Sequence, residues 1–287
     1  MTASSSIIFG GDGQLGANLA TLLKERGRPV LSTIFLKDQP ARDEIYLDIS
    51  KDMSRWPVPG KFADAFFCAA ITSTEVCRTQ PDVCRKVNVE NTLALARLLS
   101  ETGAALFFPS TNLVFDGSIP FRKSTDATNP QCEYGRQKVA TEQGLAALTD
   151  KAAVIRFSKI IGPGMTLLTN WANDLRNGTT IHPFSDMVLA PVSLRFATEI
   201  ILAVMQKKSY GIWQVSAAED VTYEEMARHL ARKIGAPQSL IAPVKACESG
   251  LTMETIPEHT TLDASRLKGE LNITAPSVWD TLDEVII

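Results

Sequence analysis

Residues 133 to 138 read EYGRQK, and within them Tyr134 and Lys138 stand four apart. On a helix that spacing puts a phenol and an ammonium on one face, a turn from each other. A phenol can deliver a proton to a developing alkoxide, and a nearby cation favours its charged form, lowering its pKa toward neutrality. Such a spacing also arises by accident, so the pair acquires meaning only with company. A second group offers it: GGDGQLG, residues 10 to 16, between an apolar run and an amphipathic one. Its glycines fit G-x-x-G-x-x-G through Gly10, Gly13 and Gly16, and equally G-x-G-x-x-G through Gly11, Gly13 and Gly16. Without a Cβ the turn can tighten and the backbone can approach a pyrophosphate at the N-terminus of the following helix, whose first turn holds Gln14 and Leu15.

A dinucleotide site has further requirements. A carboxylate about 20 residues past the glycines would hold the ribose of NAD, yet Thr33 and Ile34 stand there. Lys37 and Arg42 follow, and a cation suits the extra phosphate of NADP. The expected cofactor is therefore NADP, with NAD the alternative. Asp48, followed by Ile49, comes after the short run EIYL and is expected either near the adenine or in a turn of its own.

Short apolar runs alternate with helical patterns from the start: SIIFGG, then GQLGANLATLLKERG, then RPVLSTIF, and later ADAFFCAA and AALFFPST around a long amphipathic stretch. Near-continuous apolar strands between such helices predict an α/β chain, a Rossmann-like doubly wound parallel sheet. GIWQVSA (211 to 217) reads as one more buried strand. Residues 1–163 and 189–217 are thus assigned to a dinucleotide-binding domain, and 164–188 and 218–287 to a smaller, interleaved C-terminal substrate domain.

With 287 residues and 45% hydrophobic composition, the chain can bury a sizeable core. Its net charge of -3, with cations scattered, gives no footprint for nucleic acid or an anionic membrane. Five cysteines without close pairing are expected to be reduced, mostly buried thiols, and no metal site is expected. The start, MTASSSIIFGG, does not read as a signal peptide, and no apolar stretch reaches about 20 residues, so the expected location is cytoplasmic.

Together GGDGQLG, STNLVFDG (110 to 117), STDATNPQCEYGRQKVATE (124 to 142) and RFSKIIGPG (156 to 164), in that order, resemble extended short-chain dehydrogenases/reductases, and among them the dTDP-4-dehydrorhamnose reductases. The resemblance is dense from 7 to 164 and patchy beyond. It implies NAD(P)-dependent reduction of a keto group on a nucleotide-linked sugar. Tyr134 and Lys138 match the catalytic Tyr-x-x-x-Lys, Thr111 matches the hydroxyl residue ending the fifth strand, and Ala69 and Ala70 match backbone passing the cofactor's ribose. Lys138 would also grip the ribose hydroxyls. Sugar-nucleotide dehydratases of this superfamily follow the Thr with Asp-Glu, and the reductases usually with Asp-Tyr. Here Asn112 and Leu113 stand instead, which disfavours dehydration and loosens the match to the reductase's own substrate.

The resemblance leaves two alternatives: an epimerase on the same scaffold, and a non-catalytic NADP-binding subunit like the regulatory subunit of methionine adenosyltransferase. It also implies a homodimer through helices of the sheet domain, for which NVENTLALARLL (88 to 99) is a candidate, although packing on the sheet explains its apolar face equally well. The small-molecule partner is a nucleotide sugar or another ketone. Trp171, Arg176, His182 and Arg195 are weaker candidates for substrate contact, each more readily read as core or surface.

Overall fold

The computed structural model of the protein describes residues 5–36, 39–248, 254 and 256–286. In chain order its regular elements are β1 (Ser6–Phe9), α1 (Gln14–Glu25), β2 (Val30–Ile34), β3 (Glu44–Tyr46), β4 (Asp64–Phe67), α2 (Thr74–Thr79) and α3 (Pro81–Arg85). A π-helical turn over Lys86–Asn91 leads into α4 (Thr92–Glu101), β5 (Ala105–Thr111), α5 (Glu133–Leu148) and β6 (Ala152–Phe157). Then come β7 (Ile160–Ile161), α6 (Thr166–Arg176), β8 (Val188–Leu189), β9 (Val192–Ser193), α7 (Leu194–Lys207), β10 (Gly211–Val215), β11 (Val221–Thr222), α8 (Tyr223–Ile234) and α9 (Val278–Val285).

Seven strands form the main sheet in the order β10-β6-β5-β4-β1-β2-β3, the doubly wound arrangement expected from the alternation, with GIWQV at one edge. Strand β1 runs parallel to both neighbours, pairing Phe9 with Thr33 on one side and with Phe67 on the other. From β1 the chain winds outward through β2 and β3, then returns to the other side of β1 with β4. The reversal makes a switch point between β1 and β4, where the carboxyl ends of open α/β sheets leave a crevice.

Strands β1, β4 and β6 are buried along their whole length. Helices cover both faces of such a sheet, so its strands read as continuous apolar runs and do not alternate. Phe9 stacks on Phe67 with ring centroids 5.1 Å apart, and Phe66 on Phe107 at 4.9 Å. Each ring so buried contributes about 1.5–3 kcal/mol. Helix α1 buries Gly16, Leu19, Ala20 and Leu23, and α4 buries Thr92, Leu95, Ala96 and Leu99, each at three- and four-residue spacing. The α4 leucines belong to the sheet's own core cluster, which accounts for the apolar face of 88 to 99 without a second subunit.

By compactness the chain divides into two units, one of residues 1–114, 128–156 and 198–213, the other of 115–127, 157–197 and 214–287. The second unit thus takes in 115–127, 157–163, 189–197 and 214–217, stretches that the strand-helix alternation assigned to the nucleotide-binding part. Backbone pairing is the reason for the first: Gly117 O accepts from His259 N, Phe121 N donates to Thr261 O, and Arg122 O accepts from Asp263 N. For the second, β7 pairs with β9 and Ser158 N donates to Val215 O. This unit has its own core, with Leu168, Leu175, Met226, Leu230, Val278 and Leu282 at its centre. Among the described residues no helix is long and apolar enough to cross a membrane, and no group of three or more His, Cys, Asp or Glu could hold a metal ion.

Candidate active site

The glycine loop leaves β1 at the switch point. Gly10 has φ +84°, and a Cβ there would lie 2.7 Å from the backbone nitrogen of Ala69, so the segments after β1 and β4 touch backbone to backbone. At Gly16 a Cβ would lie 2.1 Å from Gly10 O; only glycine lets α1 pack against the turn. Gly13 differs, since a Cβ there would meet nothing closer than Gly10 O at 3.5 Å. It is exposed, as is Gln14, with Leu15 half-buried beside them. Gly13 is also the N-cap of α1, with no side-chain cap and no acid in the first turn. The first N–H groups of α1 are thus left without a capping side chain or competing carboxylate, which fits the diphosphate of a dinucleotide.

Around this loop the other expected cofactor residues take varied positions. Ala69 and Ala70 follow β4, both half-buried, with Ala69 against Gly10 of the loop. Asp48 forms a turn, its Oδ1 accepting from Ser50 N at 2.9 Å and Ser50 Oγ at 2.6 Å; these bonds hold its carboxyl below the usual range. Ile49 O accepts from Asn91 Nδ2 at 2.6 Å. Lys37 lies outside the described residues, and Arg42 is exposed.

Two residues that the sequence did not single out organise this end. Asp12, inside the glycine motif, reaches the tip of β2, where its Oδ2 accepts from Phe35 N at 2.7 Å and Leu36 N at 2.6 Å. Asp12 thus ties the glycine loop to the end of β2, with its Oδ2 taken up by two backbone amides. Asn88, buried in the π-helical turn, pins the segment after Ala70: its Oδ1 accepts from Ile71 N at 2.8 Å and its Nδ2 donates to Ile71 O at 3.0 Å and to Gln137 Oε1 at 2.9 Å. A polar residue on the buried side of an apolar helix was the available signal.

Thr111 ends β5, and its Oγ1 accepts from Leu113 N at 3.2 Å. Toward Asn112 Oδ1 it makes only a long contact of 3.4 Å, a bond readily exchanged for another acceptor. Helix α5 presses on this turn, for a Cβ at Gly135 would lie 2.2 Å from Leu113 O. Cys132 caps α5 through its sulfur, which accepts from Gly135 N at 3.4 Å. Tyr134 is therefore delivered to the carboxyl end of β5, buried among Cys77, Cys84 and Cys132.

One turn on, Lys138 is 4% exposed. Its Nζ donates to Pro109 O at 2.8 Å and sits 4.3 Å from the centre of the Phe108 ring and 5.6 Å from that of Tyr134. Burial pushes this ammonium down to about 8, opposed by the charge of Glu142. It pushes the Tyr134 phenol the other way, up from its ordinary value, with Cys77 and Cys132 adding to the rise. The lowering expected from the Lys138 cation is not found in the chain alone. Desolvation dominates, so the phenol is held as the neutral acid, the form able to donate a proton.

Trp171, Arg176, His182 and Arg195 all belong to the second unit. Trp171 packs edge-on against Tyr223 at 6.5 Å, and His182 Nδ1 lies 3.0 Å from Ala242 O. Arg176 and Arg195 are exposed.

Residues 5–286 match the family model of the RmlD substrate binding domain. A probable low-salt glycan biosynthesis reductase of Haloferax volcanii is 24% identical, the match covering 96% of this chain and 95% of the relative. A dTDP-4-dehydrorhamnose reductase of Aggregatibacter actinomycetemcomitans is 26% identical, covering 95% of each. In three dimensions the chain is similar to a dTDP-4-dehydrorhamnose reductase of Bacillus anthracis in complex with NADP, with a TM-score of 0.86, 22% identity and 98% of each chain covered. It is also similar to the Bordetella bronchiseptica enzyme WbmG in complex with NAD and UDP, with a TM-score of 0.84, 20% identity and coverage of 99% and 94%.

Proposed function

The chain belongs to the family of the RmlD substrate binding domain, and from that premise we propose that it is an NAD(P)-dependent oxidoreductase reducing a keto group on a nucleotide-linked sugar. The observation that carries this reading is the common edge: the Gly10–Gly16 loop, the Ala69–Ala70 segment, Thr111 and the Tyr134–Lys138 face all stand at the carboxyl ends of adjacent parallel strands. Relatives that are named reductases support it along nearly the whole chain.

The residues divide the work as follows. The open N-terminus of α1 and the backbone of Gly10, Gly13, Gln14, Leu15 and Gly16 would hold the diphosphate. Ala69 and Ala70 would pass the ribose, Asp48 and Ile49 would flank the adenine, and Lys138 would bind the ribose hydroxyls. NADP is the favoured cofactor, with NAD the alternative. When bound, the dinucleotide would supply a hydride to the carbonyl carbon. Thr111 would hold the carbonyl oxygen, exchanging its weak contact with Asn112 for a bond that strengthens as charge develops there. Tyr134, kept neutral by burial, would deliver its proton to the nascent alkoxide. Asn112 and Leu113 carry no proton-transfer group, so no acid or base is supplied from that pair for removing water at the neighbouring carbons.

The test is loss of reduced-nicotinamide absorbance when the protein meets NADPH or NADH and a panel of nucleotide-linked 4-ketosugars. Turnover that disappears in Tyr134→Phe supports the reading. Cofactor binding without oxidation by any ketone removes it and returns the epimerase and the regulatory subunit to the front; dinucleotide that copurifies would mark the first, a copurifying enzyme the second.

A further inference from the structure

One turn beyond Lys138, on the same face of α5, Glu142 is 6% exposed and faces Arg156 of β6, itself 2% exposed. Its Oε2 accepts from Arg156 Nη2 at 2.7 Å, and Arg156 Nε lies within 3.1 Å of Oε1 and 3.2 Å of Oε2. Oε1 also accepts a short bond from the hydroxyl of Ser110 in β5. Two successive residues of β5 are therefore held from α5, the Pro109 carbonyl by Lys138 and the Ser110 hydroxyl by Glu142, just before Thr111 ends the strand. Glu142 thus grips the strand from the same side as Lys138.

A buried ion pair is a poor device for stability, since desolvating both charges offsets most of their attraction. What this one does is tie a helix to two adjacent strands at the point where the candidate acid is aimed.

We propose that Glu142 is a positioning residue for the Tyr134–Lys138 pair: through Ser110 and Arg156 it sets the separation of α5 from β5 and so holds the Lys138 ammonium on the Pro109 carbonyl. The proposal rests on the catalytic reading of that pair. Lys138 is faced by Tyr134 and Glu142 from its own helix, by the Pro109 carbonyl and Phe108 ring from β5, by Cys68 after β4 and by Cys77 from α2. Glu142 is the foremost influence holding the ammonium against its desolvation. Its neutralisation should lower the pKa of Lys138 further, so that the cation is lost at a lower pH.

The experiment follows Lys138 itself, by NMR titration of the protein labelled with 13Cε-lysine, its resonance assigned by its loss in Lys138→Arg. Three variants are compared with the wild type: Glu142→Gln, the doubly neutral Glu142→Gln/Arg156→Gln, and Ser110→Ala, which leaves both charges in place. Glu142→Gln should move the Lys138 titration down by about one unit and shift the alkaline limb of the rate profile with it. Ser110→Ala should move both in the same direction by a smaller amount, because the loosened strand weakens the Lys138–Pro109 bond. A folded variant set in which the Lys138 titration stays where it is in the wild type overturns the proposal and leaves Glu142 a structural ion pair. Should both charge variants fail to fold, Ser110→Ala decides by the same readout. A titration that shifts in a protein without ketone reductase activity would instead uphold the coupling and remove the catalytic reading.

Discussion

Helices α1 and α5 pack on the same sheet, but they bury different chemistry. The inner face of α1 is Gly16, Leu19, Ala20 and Leu23; that of α5 is Tyr134, Gly135, Gln137, Lys138, Thr141, Glu142 and Leu145. Their N-termini are reversed in the same sense. α1 starts with a bare glycine and no acid, whereas α5 starts with the Cys132 sulfur as a cap and Glu133 in its first turn. One helix buries apolar surface and leaves its dipole end uncapped, as an anion-binding end would be. The other closes its own end and buries polar groups whose desolvation opposes folding. A helix that buries lysine and glutamate where leucine would serve stability better is arranged for another purpose.

The contrast is easiest to break at Tyr134. Tyr134→Phe should lower the turnover rate by about 10²–10⁴-fold with dinucleotide affinity unchanged, read by steady-state kinetics beside a fluorescence titration with NADPH. A Phe variant that keeps most of its rate would remove the acid assigned to α5. On the other helix, Leu23→Ala should cost about 2–5 kcal/mol of stability by leaving a cavity, with kcat per folded molecule little altered; urea unfolding and active-site titration measure the two. Gly16→Ala should cost about 1–3 kcal/mol by overpacking and weaken dinucleotide binding as well, since the added Cβ collides with the loop itself. Unchanged affinity there would show that the loop relaxes without consequence.

The pH response sharpens the reading of α5. Lys138 is charged below about 8 and neutral above it, so kcat/KM for reduction should fall as pH rises through that value. A profile flat to pH 10 would mean that the ammonium charge is not needed. The smallest effect is expected at Asp12→Asn, which keeps an acceptor for the Phe35 and Leu36 amides and removes a negative charge from the tip of β2. It should raise the affinity for NADPH relative to NADH by several-fold, about 1 kcal/mol, as expected for one partly exposed charge near another. Equal affinities before and after would place the extra phosphate elsewhere.

Much of this was legible before folding was considered. Buried parallel strands betray themselves as unbroken apolar runs, as in SIIF and DAFF, because both faces are covered. The glycine loop and the Tyr-Lys spacing are local devices, written in contiguous residues whose geometry follows from backbone sterics and helical pitch. Helix α5 lacks such a hydrophobic signature, since its inner face is largely polar.

Other features had no local signature. Asp12 is a loop residue until the β1–β2 pairing brings Phe35 and Leu36 to its carboxylate, and Asn88 is one polar residue among several until Ile71 and Gln137 close around it. The assignment of 115–127 to the second unit depends on backbone bonds to residues more than a hundred positions later. The protonation of the Tyr134–Lys138 pair also reversed the simple expectation: adjacency to a cation predicts an acidified phenol, but burial holds the phenol neutral and weakens the cation. Residue types and short spacings determine which groups are available and which local turns they can make. Only the tertiary structure decides what is desolvated and which distant partner answers it, because both depend on chain segments that sequence order does not bring together.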